Sequence, residues 1–225
     1  MLKRIYRYAG FFLEKRPWGI QLIYHSIRHY KLYEFMEALF VAFLFALVIR
    51  SFFFQAFKIP SESMVPTLLV GDRLFVNKMV YYFHPPEIGD VVVFKTPDVI
   101  HDPRKPIYIK RVVGGEEDTV SIRDVEVDSR GQPFGRLYVN GERAAHPVIL
   151  RTHYYVAVGQ VGSNGRVEEP KIYTSETVPP GDIYVFGDYS SSSLDSRYWG
   201  GVPESHVKGK AVLRGWPPNR CGLVE

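Results

Sequence analysis

Three stretches of the chain carry side chains whose types could do chemistry together. Residues 59–78 hold Ser61 and Ser63, flanked by prolines that prevent a helix from continuing through this segment. Residues 108–114 form a β-like run that contains Lys110. The third stretch crowds acidic, hydroxyl and basic side chains into one predicted loop over residues 187–203: Asp188, Ser193, Asp195, Ser196 and Arg197.

A serine–lysine pair is the hydrolytic chemistry that the first two stretches permit. A serine hydroxyl is a poor nucleophile unless a base that is neutral at the operating pH takes its proton. A lysine in water has a pKa of about 10.4, but burial disfavours the ammonium form and lowers that pKa by as much as several units. Strand alternation puts Lys110 on the same face as Tyr108 and Val112, which is an apolar setting of this kind.

Each of these residues also has an ordinary structural interpretation. The strand that contains Lys110, considered by itself, is also compatible with an edge strand from which the lysine side chain extends into solvent. Ser63 beside a proline fits a turn residue. Asp195 and Arg197 fit an ion pair that holds a loop together, and that is also the role expected of them within a functional site. The residues alone leave these alternatives open.

Other catalytic chemistries find less support. The seven histidines do not fall at metal-ligand spacings such as HExxH, so no metal is predicted. The pattern GxSxG is absent, and the one cysteine, Cys221, excludes an internal disulfide and belongs to no motif. A Ser–His–Asp triad stays open, because its members need not be close in sequence.

A domain of short strands is expected to position these side chains. Residues 58–225 are long enough to bury a core of their own. β-branched and aromatic runs recur between turn signals, without sustained helical periodicity. The runs are 91–94, 108–113, 136–139, 152–158, 183–186 and 210–214. Asn140-Gly141 is a strong hairpin signal. The predicted fold is therefore mainly β, with short, mostly antiparallel strands forming the catalytic domain.

An apolar run over residues 35–57 predicts a transmembrane helix ahead of this domain. Its 23 residues would form a helix about 34 Å long, enough for a hydrocarbon core of about 30 Å. The uninterrupted core, residues 38–49, is only 12 residues long and by itself would suit a buried helix of a soluble protein. Two features favour spanning: the core has no polar face, and Arg50 can reach the interface beside a run of phenylalanines.

Basic residues are concentrated before the helix. Residues 1–34 carry seven Lys/Arg against two Asp/Glu, whereas the other residues hold 21 basic and 22 acidic side chains. The positive-inside rule makes residues 1–34 a basic cytoplasmic segment and puts residues 58–225 on the extracytoplasmic side. The asymmetry argues against a nucleic-acid partner and favours membrane lipid. Residues 1–34 form either an interfacial amphipathic helix or a loosely ordered tail.

Together the three stretches resemble the conserved boxes of type I signal (leader) peptidases, the membrane-bound serine proteases that remove signal peptides. The serine box is matched by PSESMVPTL, residues 60–68, followed by GDRLFVNK, residues 71–78. The lysine box is matched by YIKRVVG, residues 108–114, and the last box by GD…S-L-DSRYWG, residues 187–200. Their order and spacing, and the preceding span, agree across residues 35–215.

The resemblance implies a Ser–Lys dyad, with Ser63 as nucleophile and Lys110 as general base. It implies an oxyanion hole made by the Ser61 hydroxyl and the Ser63 backbone N–H. The implied supporting residues are Ser193, which would orient the lysine by a hydrogen bond, and the ion pair of Asp195 and Arg197. Small apolar S1 and S3 pockets favouring Ala-X-Ala before the cut are implied at Ile59, Pro60, Met64, Leu68, Tyr108 and Ile109.

The same resemblance implies no metal and no cofactor. The implied substrates are exported preproteins, cleaved through an acyl-enzyme at the outer face of the bacterial cytoplasmic membrane. Phe57 and Ser63 are six residues apart, so an extended chain puts the nucleophile at most about 20 Å beyond the span. That distance suits a substrate that is itself anchored in the membrane.

Two departures from the family pattern lie beside the proposed dyad. GDNR reads Gly187-Asp188-Tyr189-Ser190 here, so that a serine replaces an arginine. VGxPGD reads Val113-Gly114-Gly115-Glu116-Glu117-Asp118, which loses a proline and a glycine. Two alternative functions remain: a specialised peptidase for one pilus or conjugation precursor, and a catalytically silent membrane-anchored β scaffold.

Overall fold

The computed structural model describes residues 18–95, 107–161, 167–173 and 175–224. The chain divides into two compact units, Met1–Ser51 and Phe52–Glu225.

Helix α1, Trp18–Phe52, accounts for the described part of the first unit. Its stretch Tyr30–Arg50 is long and apolar enough to cross a membrane, and all its side chains are exposed. Residues 1–17 of the predicted basic segment lie outside the described residues, and residues 18–34 are helical. Exposed apolar side chains along the stretch 30–50 favour a lipid environment over water.

The helix ends earlier than its apolar composition predicts. Residues 35–52 of the predicted span are helical, but Phe54–Lys58 forms strand β1. This strand pairs with β2, Arg73–Asn77, and aromatic residues are as compatible with strands as with a membrane helix. Sheet pairing therefore overrides hydropathy at residues 54–57.

The second unit is built from antiparallel strands, which confirms the predicted fold class. The main sheet has eight strands in the order β1-β2-β14-β3-β4-β12-β13, with β15 paired to β14. Its remaining strands are β3 Val91–Lys95, β4 Ile107–Gly114, β12 Asp182–Phe186, β13 Val202–Pro203, β14 Val207–Trp216 and β15 Gly222–Leu223. Every pairing among the described strands is antiparallel.

Two smaller sheets complete the β structure. One has the order β11-β5-β6-β7 with β8 paired to β6, and the other pairs β10 with β9. Their strands are β5 Thr119–Val127, β6 Pro133–Val139, β7 Glu142–Arg143, β8 Tyr154–Tyr155, β9 Ala157–Val161, β10 Val167–Ile172 and β11 Ser175–Thr177. Two short helices, α2 Pro147–Arg151 and α3 Ser196–Trp199, lie between strands. The predicted hairpin at Asn140-Gly141 is confirmed: both residues have positive φ, 54° and 86°, and join β6 to β7.

Strand β4, which carries the lysine, lies inside the main sheet. It pairs with β3 from Ile107 to Arg111, with Lys110 opposite Val92, and with β12 from Arg111 to Gly114. The interpretation of Lys110 as a side chain on an edge strand is therefore wrong. From Lys110 onward every residue of β4 is buried, so both faces of the strand are covered.

Candidate active site

The lysine and the serine singled out from the sequence meet in the structure. The Nζ of Lys110 lies 2.5 Å from the Oγ of Ser63, although 47 residues separate them along the chain. Both side chains are buried: Lys110 is 2% exposed and Ser63 is 7% exposed. Burial removes the water that would solvate an ammonium group, so the amine is in a setting that disfavours its charged form.

A closed loop after β1 holds Ser63 in place. Two backbone hydrogen bonds join its ends: the Ile59 N–H donates to the Asp72 carbonyl, and the Gly71 N–H donates to the Ile59 carbonyl, each at 2.9 Å. The Leu68 N–H donates to the Met64 carbonyl at 2.8 Å inside the loop. Buried Ile59, Met64 and Leu68 fix this loop in the core, so the serine is held between two anchored ends.

Ser61 lies next to Ser63 on the exposed side of the same loop. Its Oγ is 3.5 Å from the Ser63 Oγ, at the limit of a hydrogen bond. The hydroxyl is free to rotate towards an atom that binds over Ser63, which is the position that an oxyanion-hole donor requires.

Ser193 is buried beside the serine, but it does not hold the lysine as expected. Its Oγ has no hydrogen-bond partner within the described part of the chain. A Cβ added to Gly187 would lie 2.2 Å from the Ser193 Oγ and 2.5 Å from the Ser63 carbonyl oxygen, so all three groups crowd together. The Tyr189 N–H also donates to that carbonyl at 3.0 Å, which attaches the last box to the serine loop.

Asp195 and Arg197 form the expected ion pair, and it is fully buried. Arg197 Nε and Nη2 each donate to one carboxylate oxygen at 2.8 Å, which is bidentate geometry. Burial lowers the pKa of Arg197, but the charge and the hydrogen bonds of Asp195, with smaller contributions from Tyr198 and Tyr154, together raise that pKa above its ordinary value. Asp195 also accepts from the Gly187 N–H at 3.0 Å, so the pair supports the residue that contacts Ser63.

A second buried ion pair is a feature that sequence reasoning missed. Arg111, next to Lys110, donates from Nε and Nη2 to the two oxygens of Asp188, each at 2.8 Å. The Thr67 hydroxyl donates to the same carboxylate at 2.6 Å. The sequence did contain a signal for this pair: Arg111 lies in an apolar run of the kind that is buried on both faces. A buried arginine requires an acidic partner, so a nearby Asp or Glu could have been expected.

The departures from the family pattern have local explanations. Ser190 is buried, and its hydroxyl accepts from Arg197 Nη1 at 2.7 Å and from the Tyr155 N–H at 2.9 Å. Glu117, where the pattern has glycine, adopts a left-handed φ of 63°, so the turn keeps a backbone that normally favours glycine. The loops at residues 187–190 and 113–118 are therefore each formed with residues that differ from the family pattern.

A cavity of about 510 Å³ opens beside the serine–lysine pair. It runs between the segment 57–64 and residues 107–110 of β4. Five of the predicted pocket residues line it: Ile59, Pro60, Met64, Tyr108 and Ile109. Leu68 does not line it. That side chain is fully buried in the core with Leu74 and Val76, because the loop turns inward after Met64.

A β-rich domain that follows an apolar helix and holds a buried serine and lysine at an apolar cavity fits the class of membrane-anchored serine peptidases. Comparisons with known proteins agree. The family model for signal peptidase, peptidase S26, matches residues 32–216. Signal peptidase I of Leptolyngbya laminosa is 34% identical over 196 residues, covering 85% of this chain and 83% of that protein.

Two further relatives are similar to the same extent. Probable signal peptidase I-1 of Synechocystis sp. is 33% identical over 85% of this chain and 86% of its own length. Signal peptidase I of Bacillus caldolyticus is 34% identical over 79% of this chain and 88% of its own. The chain belongs to the signal peptidase family, peptidase S26. It is therefore a serine peptidase that removes signal peptides from exported preproteins, and its apolar N-terminal helix fits a membrane anchor.

Proposed function

We propose that Ser63 and Lys110 form the catalytic dyad of this peptidase and that cleavage passes through an acyl-enzyme. The observation that carries the proposal is the 2.5 Å contact between the two buried groups. A lysine kept from water is able to act as a neutral base, and a serine within hydrogen-bond reach of it becomes a usable nucleophile.

The proposed reaction has two halves. The Ser63 Oγ attacks the scissile carbonyl carbon while its proton passes to Lys110 Nζ. The tetrahedral intermediate then collapses: the C–N bond breaks, the departing amine takes the proton, and an ester to Ser63 remains. Water gives a proton to Lys110 and attacks the ester, and the proton returns to the Ser63 oxygen as the signal peptide leaves with a free carboxylate.

Ser61 supplies the second donor to the oxyanion in this proposal, together with the Ser63 backbone N–H. Its hydroxyl stands beside the nucleophile, at 3.5 Å, and borders the cavity. Preorganised donors stabilise the charge that develops on the carbonyl oxygen in the transition state more than the neutral carbonyl of the substrate.

Replacing Ser61 with alanine is expected to lower kcat by about 10²-fold or more with little change in KM, because only the charged intermediate needs this donor. Steady-state cleavage of a signal-bearing preprotein measures both constants. Ser61→Thr, which keeps a hydroxyl, is the matched variant and should retain more activity than Ser61→Ala. Equal losses in the two variants would show that the hydroxyl is not the group that matters.

The cavity supports small side chains immediately before the cut. Its walls near the serine are the apolar residues Ile59, Met64 and Ile109, and Ile59 and Met64 are rigid because they belong to the core. A small apolar residue fits such a wall without displacing it, whereas a large one requires the core to move. We infer that sites of the type Ala-X-Ala are preferred.

A substrate panel tests this specificity directly. Changing the alanine immediately before the cut to phenylalanine should reduce kcat/KM by at least about 10²-fold, since the added ring meets packed core residues. Mass spectrometry of the products locates the cleaved bond, and Ser63→Ala enzyme reports any contaminating protease. Preproteins from several export routes separate a general enzyme from one that serves a single precursor. Efficient cleavage after phenylalanine would contradict the small pocket.

The proposed cellular position follows from charge and hydropathy. α1 supplies one apolar stretch, Tyr30–Arg50, and the basic excess of residues 1–34 precedes it. The positive-inside rule then supports a cytoplasmic N-terminus and a single crossing of the bacterial cytoplasmic membrane, with lipid around the helix. The peptidase domain, residues 58–225 in outline, faces the extracytoplasmic side, where exported preproteins emerge.

A further inference from the structure

A second cavity, of about 600 Å³, adjoins the other side of the nucleophile loop. The first cavity is lined by this loop up to Met64 and by the last box from Ser192 onward. The second cavity is lined by the adjacent residue of each segment, Val65 in the loop and Ser191 in the last box. Ser63 therefore lies at the boundary between the two cavities.

The second cavity is basic at its outer wall. Arg151, at the end of α2, and Arg130 line it, and both side chains are exposed. Arg130 already has an acidic neighbour, Asp128, at 3.4 Å. Arg151 makes no ion pair with any residue that the structure describes.

No acidic side chain among the described residues that line the cavity offsets the charge of Arg151. The one acidic side chain among the residues that line the cavity is Asp188, and its buried ion pair with Arg111 neutralises it. His153 also lines the cavity. Burial and the nearby Arg136 lower the pKa of His153, so its imidazole is neutral near pH 7 and the positive charge belongs to the arginines.

We propose that the second cavity binds the substrate segment that follows the scissile bond, and that Arg151 selects an acidic side chain there. The inference rests on the proposed function, because Ser63 as nucleophile decides which residues of the substrate precede the cut. A peptide with its small residues in the first cavity must continue past Ser63. Val65 lies two residues after Ser63 in the enzyme, and two residues span at most about 7 Å. The near wall of the second cavity is therefore within reach of the second or third substrate residue after the cut.

A carboxylate is the chemistry that the wall fits best. The guanidinium of Arg151 offers a planar fork of donors that matches a carboxylate in bidentate fashion. The selected residue would be Asp or Glu, within about two to four positions after the cut, where an extended chain advances about 3.3 Å per residue. A lysine at the same position would be repelled, so the discrimination combines attraction and repulsion.

Competition between two preproteins in one reaction measures this selectivity. The substrates are identical up to the cut and carry either Asp or Lys at the third position after it; their consumption ratio gives the ratio of kcat/KM. The full-length enzyme in detergent should favour Asp about five-fold or more at low salt, and less at high salt, as an exposed ion pair does. In Arg151→Glu the ratio should fall about ten-fold or more and favour Lys.

Arg143→Glu is the matched control, since Arg143 is exposed on β7 and lies outside both cavities. It makes the same change of charge and should leave the ratio within about two-fold of wild type. An unchanged ratio in Arg151→Glu, or an equal shift in both variants, would overturn the proposal. A shift seen only in anionic vesicles and not in detergent would also overturn it, because a lipid headgroup would then be the ligand.

The outcome is distinguishable from failure of the dyad. If Ser63 is not the nucleophile, Ser63→Ala will still cleave both substrates. The cavities could then no longer be assigned to the substrate residues before and after the cut. If the dyad is correct and the second cavity is not a binding site, Ser63→Ala will be inactive while Arg151→Glu keeps the wild-type ratio.

Discussion

Replacing Lys110 with methionine will abolish cleavage of a signal-bearing preprotein, with kcat/KM lower by at least about 10³-fold. Methionine has nearly the shape of lysine without the amine, so the loss reports the proton acceptor and not a void. Ser63→Ala should cause a loss of the same size. Because the two groups act as one unit, the double variant should be no worse than either single variant.

The folded state should survive the change at Lys110. Lys110 is 2% exposed, and exchanging a buried polar group for an apolar one of similar volume relieves its desolvation. The thermal unfolding midpoint of Lys110→Met in detergent should therefore equal or exceed that of wild type. Lys208→Met, at an exposed site, is the control and should keep its activity. Retained cleavage in Lys110→Met would exclude the dyad, and a multiplicative loss in the double variant would argue that the two residues act separately.

The fold class was predictable because the strands carry strong local signals. β-branched and aromatic runs between turn residues predicted four of the eight strands of the main sheet, and Asn140-Gly141 predicted a hairpin. Strand ends were less predictable. The run 152–158 divides into β8 and β9 because at Val156 the backbone hydrogen bonds pass from Pro133 to Tyr173, that is, from one neighbouring segment to another. Such changes of partner are tertiary and leave no mark in local composition.

The active site was predictable in part. The strand around Lys110 allowed either a buried lysine or one that extends into solvent, and its contact with Ser63 spans 47 residues, so only the family resemblance brought the two together. Leu68 was assigned to the pocket by that resemblance, whereas the loop turns it into the core. The hydrogen bond from Ser193 to the lysine is likewise absent from the described structure, since the Ser193 Oγ has no hydrogen-bond partner there.

The Arg111–Asp188 pair illustrates what a single sequence conceals. Its partners are 77 residues apart along the chain, so no local pattern links them. The Asp195–Arg197 pair, by contrast, lies within one short segment of the last box. Yet the two pairs do similar work. One joins the lysine strand to the last box, and the other holds Gly187, at the start of the last box, where it contacts the serine loop. The three stretches are held together by charges that are shielded from solvent.

Removing one member of the buried Asp195–Arg197 pair should destabilise the protein strongly. Both side chains are fully buried, so Asp195→Ala leaves an arginine without its counter-ion, at a cost of about 3–5 kcal/mol in the free energy of unfolding. Arg197→Met should cost a similar amount. Asp195→Ala/Arg197→Met removes both charges together, so it should lose clearly less than the two single losses combined. Chemical denaturation of the full-length protein in detergent measures all three.

Arg130→Ala provides the matched exposed control. Its side chain is 72% exposed, and its contact with Asp128 is 3.4 Å long, so the loss should stay below about 1 kcal/mol. Loss of the buried pair should also lower cleavage. Asp195 holds the N–H of Gly187, and Gly187 contacts the Ser63 carbonyl, so a loosened loop displaces the nucleophile from the lysine. Strictly additive losses, or full activity in Asp195→Ala, would show that the pair stabilises its own loop without positioning the serine.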